Sequence, residues 1–161
     1  MIVAASKGNE LLDVLDVAEE NADKHYEPIN HCLVVVKIEN DYLMGWNKWR
    51  QQWEIFGGCI EGGKILRKFI TRECKEEFGI TNVDFEYLGL MYYNMAPGYF
   101  NPEWHYEYGG LYGVTLSKDY FQDIEKYRTD KEEVEKLAFY KDVKGKENIA
   151  PIDEKLLEYW A

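Results

Sequence analysis

The chain has 161 residues, an apolar fraction of 46% and a formal net charge of −11 at pH 7. The length and composition predict one domain with a sizeable core, and the negative charge disfavours a nucleic acid polymer as partner, since its phosphates would be repelled. No apolar run is long enough to cross a bilayer, no signal peptide is visible, and three cysteines without metal-type spacing indicate reduced thiols, so we expect a cytoplasmic protein with no membrane partner.

The first half of the chain predicts mostly strands. Residues 10–20 mix strand-like and helical patterns, so the pattern alone leaves both open. A β-branched apolar run at residues 32–39 is typical of a buried central strand. The turn signal at residues 40–41 lets residues 42–46 pair back as a hairpin, and a further strand is expected at residues 53–56.

The second half predicts helices separated by strands. A helix is expected at residues 65–78, ending at Gly79, and a second one near the C-terminus at residues 152–160. Strand-like stretches lie at residues 83–93, 106–116 and 134–140, and residues 117–127 fit a short helix or a turn. Strands interrupted by two substantial helices predict an α+β fold with a mixed sheet between helices.

The helix at residues 65–78 carries acidic side chains where apolar ones belong. At about 100° per residue, Glu73 and Glu77 fall within about 20° of Leu66, and Glu76 falls about 80° from it. The apolar stripe on that same face consists of Leu66, Phe69, Ile70, Cys74 and Phe78. A helix that served only packing would carry its carboxylates on the opposite side.

Two carboxylates on a buried face need compensation, because burying an ionised carboxylate without a partner costs several kcal/mol. Glu73 and Glu77 are four residues apart and stack on one helix face, so they can grip the same cation. All-oxygen ligands favour Mg²⁺ or Mn²⁺. The alternative, a surface helix with scattered glutamates, is disfavoured because the acidic positions coincide with the apolar stripe.

Residues 58–80 resemble the Nudix box of the Nudix hydrolase superfamily. The box is Gly, five residues, Glu, seven residues, and then Arg-Glu-apolar-x-Glu-Glu-x-Gly-apolar. The chain matches this pattern at Gly58, Arg72, Glu73, Cys74, Glu76, Glu77, Gly79 and Ile80. It departs from the pattern at Lys64, where the family has glutamate. The resemblance implies one Nudix domain over residues 1–161, a Nudix-type α/β/α sandwich with a strand at residues 10–20 and a loop at residues 21–28.

The resemblance also implies the site residues. Gly57, through its carbonyl oxygen, and Glu73, Glu76 and Glu77 are the implied metal ligands, with Mg²⁺ or Mn²⁺ as cofactor. Catalytic roles fall to Arg72, which orients the glutamates through ion pairs, and to Glu73 and Glu76. Because Lys64 replaces a carboxylate, the orientation of Arg72 lacks its usual partner, and Glu61 is a candidate substitute.

The segment at residues 92–108 holds seven aromatic side chains. They fit stacking on a nucleobase, which is worth about 1–3 kcal/mol per base, and equally fit cross-strand packing. The candidate substrate contacts are Arg50, Trp53, Tyr92 and Tyr99. Glu103 and Glu107 are candidates for an extra base or metal ligand, as such loops in Nudix proteins often supply one.

The expected function is metal-dependent hydrolysis of a diphosphate bond in a nucleoside diphosphate linked to another moiety. The alternative is a Nudix-fold nucleotide-binding or regulatory module with little or no catalysis, because of Lys64. An isoprenoid diphosphate isomerase shares the box, but the chain lacks the Cys-Ser-His stretch of that group. The aromatic surplus also fits a homodimer interface.

Overall fold

The computed structural model describes residues 2–60, 65–99, 101–128 and 134–161. The strands are β1 (Ala4–Ser6), β2 (Asn9–Leu15), β3 (Ile29–Ile38), β4 (Asp41–Asn47), β5 (Gln52–Glu54), β6 (Phe56–Cys59), β7 (Glu86–Met95), β8 (His105–Leu116) and β9 (Val134–Phe139). The helices are α1 (Glu19–His25), α2 (Leu66–Phe78), α3 (Asp119–Tyr127), α4 (Tyr140–Val143) and α5 (Pro151–Leu156), followed by a 3₁₀ turn at Leu157–Tyr159.

The strands form a mixed sheet in the order β1-β2-β7-β8-β3-β4-β5, with β6 also paired to β3 and β9 to β4. At its centre β3 and β8 run parallel, with Leu33 opposite Leu111. The other pairings are antiparallel. One side of β3 is shared, because His31 to Val34 pair with β6 and Val36 to Ile38 pair with β4. Among the described residues the other side of β6, here called its outer edge, pairs with no strand.

Two apolar clusters lie on opposite faces of the sheet, because side chains alternate along each strand. Val34 and Val36 of β3 face the cluster that contains Ile70 of α2, together with residues of α1 and α3. Val35 faces the other cluster, which contains Leu156 of α5 and a residue of α4. The arrangement confirms the predicted α/β/α sandwich with a mixed sheet.

The predicted loop at residues 21–28 is wrong for its first part, because Glu19–His25 forms α1. The helix has two acidic residues in its first turn and two basic residues in its last turn, which complement the helix dipole. It buries Ala22 against the sheet. The order of acidic and then basic residues was a sequence signal for a helix, but one buried residue is too few to show a helical period.

Other elements match the prediction with shifted bounds. Residues 10–20 contain β2, and residues 117–127 contain a helix, α3. The strand predicted at residues 53–56 divides into β5 and β6, because the amide of Ile55 donates to Oδ2 of Asp153 (2.9 Å) rather than to a strand. The strand β1 and the short helix α4 were not predicted. None of the helices in the described ranges is both long and apolar enough to span a membrane.

Candidate functional site

Gly57 in β6 occupies a backbone conformation that requires glycine. Its φ is 145°, which L side chains rarely adopt. A Cβ atom there would overlap the carbonyl oxygen of Cys32 and lie 2.8 Å from Cα of Leu33. The close approach to β3 therefore excludes any side chain at this position.

The hydrogen bonds of β6 decide which way the Gly57 carbonyl points. The amide of Ile60 donates to the carbonyl of Asn30 (2.9 Å), which puts residue 60 in the ladder with β3. Alternate residues of an antiparallel strand bond to the same neighbour, so Gly58 bonds to β3 as well. By the same alternation the backbone carbonyl of Gly57, which lies opposite Leu33, is expected on the side of β6 away from β3, its outer edge.

The helix α2 brings Glu73 and Phe69 to Gly58. A Cβ atom added to Gly58 would lie 3.3 Å from Oε1 of Glu73 and 3.7 Å from Cζ of Phe69. The guanidinium carbon of Arg72 lies 5.9 Å from the centre of the Phe69 ring. The structure thus places Glu73 beside the glycine that begins the box, with Arg72 against the neighbouring Phe69 ring.

The exposure of the box side chains follows the predicted faces of α2. Glu73 and Glu77 are half-buried beside the apolar stripe, whereas Arg72 and Glu76 are exposed. The stripe itself, Leu66, Phe69, Ile70, Cys74 and Phe78, is buried. The helix ends at Gly79, which has a φ of 68° and donates its amide to the carbonyl of Lys75 (3.1 Å), as the sequence predicted.

The donors present fit a hard divalent cation in their chemistry, because they are carboxylate and carbonyl oxygens. Glu73 lies against the strand whose Gly57 carbonyl faces the outer edge, and Glu77 lies one helical turn further along the same face. Within the described residues, no group of three or more His, Cys, Asp or Glu side chains is already drawn together for a metal ion. The ligand set is therefore compatible with a metal but is not preassembled.

Two of the predicted substrate contacts lie around the β4–β5 hairpin. Arg50 is bound to Glu54 through Nε (2.7 Å) and Nη2 (3.1 Å). Trp53 is only 2% exposed and packs edge-on against Trp46, with ring centres 5.3 Å apart. The prediction of Trp53 as a substrate contact is therefore corrected: its ring belongs to the core beneath α5.

Tyr92 forms a ladder of stacked rings with two tyrosines of β8. Its ring centre lies 5.4 Å from that of Tyr106 and 5.0 Å from that of Tyr108, at interplanar angles of 20° and 24°. Tyr26 meets Tyr108 edge-on at 5.2 Å. Tyr106 is 56% exposed, so the outer end of this tyrosine ladder is open to solvent. Cross-strand packing, one of the two interpretations of these aromatics, is confirmed for Tyr92.

Of the remaining candidates of this segment, Tyr99 and Glu103 lie between β7 and β8, and Glu107 lies in β8. Tyr99 is 95% exposed, and Glu103 is also exposed. Glu107 is half-buried, and its Oε1 lies 2.9 Å from Nε2 of His105. The hydrogen bonds of His105 to the Glu103 carbonyl and to Glu107 raise the pKa of its imidazole. Glu107 is thus hydrogen-bonded to a histidine on its own strand.

The sheet face opposite α2 carries titratable groups that the sequence analysis did not assign to a site. His31 lies opposite Cys59 in the β3–β6 ladder and 4.8 Å from the ring centre of Tyr93. Burial lowers the pKa of His31 to about 4, against the opposing charge of Glu107. Burial, together with the charge of Glu54, raises the pKa of Asp153 to about 7.

Two residues named in the sequence analysis, Glu61 and Lys64, lie outside the described residues, as does Phe100, one of the seven aromatics at residues 92–108. The departure from the Nudix box at Lys64 and its proposed substitute Glu61 therefore stay predictions.

Comparisons with known proteins place the fold. The sequence matches no family model and no curated protein. The MutT NUDIX hydrolase from Burkholderia pseudomallei superposes with a TM-score of 0.59 at 13% identity, covering 84% of this chain and all (100%) of that one. A mutant of the Bacillus subtilis pyrophosphohydrolase BsRppH gives 0.58 at 15% identity, over 92% and 86% of the two chains. The chain has a Nudix fold.

A third Nudix structure agrees with this assignment. The NUDIX domain of Shewanella oneidensis NrtR, complexed with ADP ribose, superposes with a TM-score of 0.57 at 15% identity, over 89% of this chain and 96% of that domain. At these identities the likeness concerns the fold. The Nudix fold predicted from the box residues is thereby confirmed.

Within this Nudix fold, two acidic residues that the sequence analysis missed contact the start of the box helix. Oδ1 of Asp23 accepts the amide of Leu66 (3.1 Å), and both carboxylate oxygens of Glu19 bind Arg67. The signal was their spacing of four residues, which puts both on one face once the segment is helical. It went unused because this segment was interpreted as a strand and a loop.

Proposed function

We propose that the chain hydrolyses a diphosphate bond in a nucleoside diphosphate linked to another moiety, with Mg²⁺ or Mn²⁺ as cofactor. The observation that carries the proposal is the position of Glu73 beside β6, since a Cβ atom added to Gly58 would lie 3.3 Å from its Oε1. The carbonyl of the adjacent Gly57 is the further proposed ligand. A catalytic surface needs oxygen donors that converge from separate elements, and here a helix and a strand edge supply them. Membership of the Nudix fold supports the same chemistry.

The proposed metal ligands are Gly57, through its carbonyl oxygen, Glu73 and Glu77, with Glu76 as a further ligand or as the group that takes a proton from water. When bound, the ion neutralises phosphate charge and lowers the pKa of a coordinated water. Half-burial of Glu73 and Glu77 strengthens their pull on a cation, because fewer water molecules screen them.

Arg72 and Glu76 act from the exposed flank of α2 in this proposal. Arg72 lies over the Phe69 ring, and its proposed role is to orient the ligand carboxylates through ion pairs. Glu76 is exposed and can exchange protons with solvent. Glu103 and Glu107 stay candidates for the general base, and the engaged state of Glu107 favours Glu103 for that role.

For the nucleotide part of the substrate, we propose the tyrosine ladder of Tyr92, Tyr106 and Tyr108. The amide of Tyr108 donates to the carbonyl of Pro28 (2.9 Å), and the amide of Ile60, which lies within the box, donates to the carbonyl of the nearby Asn30. The ladder therefore begins close to the strand that leads into the box. Arg50 and Tyr99 stay candidate contacts for the remaining part of the substrate.

The test is a hydrolysis screen over nucleotide diphosphate derivatives, with and without Mg²⁺, with product analysis to locate the broken bond. We expect Mg²⁺-dependent activity that Glu77→Gln reduces by about 10³-fold or more. Glu86→Gln, the same change at an exposed glutamate of β7, is the matched control and should retain activity. Activity unchanged in Glu77→Gln would reject the proposed metal site.

The second candidate is a nucleotide-binding or regulatory module without turnover. One observation favours it: Lys64 stands where the box has glutamate. Tight nucleotide binding without product would support it. Gain of activity in Lys64→Glu would identify a catalytic site that has decayed through that one substitution.

Several expectations stay predictions: one domain over residues 1–161, a cytoplasmic location, and a homodimer. All three cysteines, Cys32, Cys59 and Cys74, are free thiols, which is compatible with a reducing compartment. Size-exclusion chromatography with light scattering decides the oligomeric state.

A further inference from the structure

The box helix α2 begins with charges of the wrong sign. The N-terminus of a helix is its positive end and is stabilised by acidic side chains or by a capping oxygen. Here the N-cap residue Ile65 provides no side-chain cap, and the first turn contains no acidic residue. Instead it contains Arg67 and Lys68, and Lys64 precedes it in the sequence. On its own sequence, this end of the helix is electrostatically unfavourable.

The helix α1 supplies the missing negative charge from outside the box. Oδ1 of Asp23 accepts the amide of Leu66, the first residue of α2, at 3.1 Å. One turn earlier, Glu19 accepts from Nε and Nη2 of Arg67, at 2.9 and 3.0 Å. Asp23 therefore acts as the cap that Ile65 does not provide, and Glu19 neutralises a cation in the first turn.

These two carboxylates are themselves held in place. The hydroxyl of Tyr112 in β8 donates to Oε2 of Glu19 at 2.6 Å. Nη1 of Arg67 donates to the carbonyl of Phe85 at 2.7 Å, so the arginine bridges α1 and the segment before β7. Ala22, between the two acidic residues, is buried in the core. Hydrogen bonds to β8 and to the segment before β7 therefore hold the contact between α1 and α2 in place.

We propose that Asp23 and Glu19 are positioning residues that fix the first turn of α2 and, through the rigid helix, the orientation of Glu73 and Glu77. The Nudix box has glutamate at the position of Lys64, and here Asp23 and Glu19 place negative charge at the start of the helix instead. The inference rests on the proposed function, because its consequence is metal affinity at those two glutamates. Neither Asp23 nor Glu19 is among the proposed metal ligands or substrate contacts.

The test measures Mn²⁺ binding by electron paramagnetic resonance, at a temperature where circular dichroism shows each variant fully folded. Asp23→Ala removes the capping oxygen, and we expect about 10-fold weaker Mn²⁺ binding. Asp23→Asn keeps an oxygen for the Leu66 amide and should lose less, about three-fold. Glu20→Ala, an exposed neighbour on the same helix, is the control and should bind within about two-fold of the original chain.

Hydrogen exchange of the Leu66 amide gives a second readout, independent of activity and of metal. It should accelerate in Asp23→Ala and stay unchanged in Glu20→Ala. In steady-state kinetics, kcat should fall in Asp23→Ala while KM for the nucleotide stays constant, since the substrate contacts are elsewhere.

The outcomes separate this inference from the proposed function. If the original chain binds Mn²⁺ and folded Asp23→Ala binds it equally well, the positioning role is overturned and the metal site stands. If the original chain binds no Mn²⁺, the metal site itself is rejected and the inference falls with it. Should Asp23→Ala fail to fold, Asp23→Asn and Glu19→Gln decide by the same measurements.

Discussion

The carboxylate of Glu73 lies so close to the backbone of Gly58 that a Cβ atom at residue 58 would be 3.3 Å from Oε1. This spacing is tighter than an ordinary van der Waals contact, although the atom concerned is the end of a flexible side chain. A side chain at residue 58 would therefore have to displace this carboxylate.

Gly58→Ala should separate metal binding from stability. The added methyl group pushes the Glu73 carboxylate by a few tenths of an ångström, so we expect about 10-fold weaker Mn²⁺ binding. The free energy of unfolding should change by less than about 1 kcal/mol, because the neighbour can rotate away. Isothermal titration with Mn²⁺ and urea unfolding measure the two effects. Unchanged Mn²⁺ affinity would show that a shift of the Glu73 carboxylate by a few tenths of an ångström does not govern metal binding.

Gly57→Ala should instead destabilise the whole protein. Its φ of 145° and the overlap with the Cys32 carbonyl leave no room for a methyl group. We expect a loss of about 3 kcal/mol or more in the free energy of unfolding. Gly98→Ala is the control, since nothing lies within 4 Å of its added Cβ. Equal unfolding curves for the two variants would show that the strand tolerates a side chain at residue 57.

The contrast between α2 and α1 shows what the sequence could predict. The 3.6-residue period of the apolar stripe and the stop at Gly79 located α2 to within a residue of its start. For α1 no such period exists, because only Ala22 is buried. Its capping contact with Leu66 joins segments that are distant in sequence, and the spacing of Glu19 and Asp23 alone does not say which element they contact.

Trp53 illustrates a second limit. In the sequence, a tryptophan on a short strand is compatible both with a substrate contact and with a core position. The choice depends on α5, which covers that face of the sheet and packs on Trp53 in the same cluster. The sequence predicted a terminal helix, but it did not say which side of the sheet the helix would cover.

His31 should make the protein less stable in mild acid. Burial lowers the pKa of His31 in the folded state to about 4, below its ordinary value of 6.5. As the pH falls, the imidazole is therefore protonated at a higher pH in the unfolded chain than in the folded protein. The stability that neutral His31 contributes is present above pH 6.5 and is lost as the pH falls toward 4.

His31→Gln should therefore flatten the decline in unfolding free energy between pH 6.5 and 4, by at most about 3 kcal/mol. Urea unfolding at several pH values measures the decline. His25→Gln, at an exposed position, should leave it unchanged. An unchanged decline in His31→Gln would mean that the imidazole is protonated in the folded protein.

Asp153 should have the opposite pH dependence. Burial and the charge of Glu54 raise the pKa of Asp153 to about 7, from an ordinary value of 3.8. The folded state binds the proton more tightly, so stability from this group is lost as the pH rises from about 4 through 7. The hydrogen bond from the amide of Ile55 opposes the shift only in part.

Asp153→Asn keeps an oxygen for the Ile55 amide and removes the charge. We expect the variant to be about 1–3 kcal/mol more stable than the original chain at pH 8 and about equally stable at pH 4. Thermal unfolding at the two pH values tests this, with Asp142→Asn at an exposed site as control. A variant less stable at pH 8 would show that the carboxylate is needed in its charged form.

Tyr106→Leu should weaken nucleotide binding with little effect on the fold. Its ring is 56% exposed at the end of the tyrosine ladder. Loss of one stacking partner should raise KM about 5- to 100-fold, equivalent to 1–3 kcal/mol, without changing kcat. Tyr159→Leu, a partly exposed tyrosine of the final 3₁₀ turn, is the control. Equal KM values in the two variants would leave the ladder with a packing role alone.

The parallel pairing of β3 with β8 joins opposite halves of the polypeptide at the middle of the sheet. Such distant partners must find each other before the central strands are complete, and the closure entropy makes that search slow. A fragment limited to the box and its flanking strand would therefore lack the parallel partner that β3 has in the whole chain. Refolding of the intact chain should take milliseconds to seconds, as it does for other topologies of high contact order.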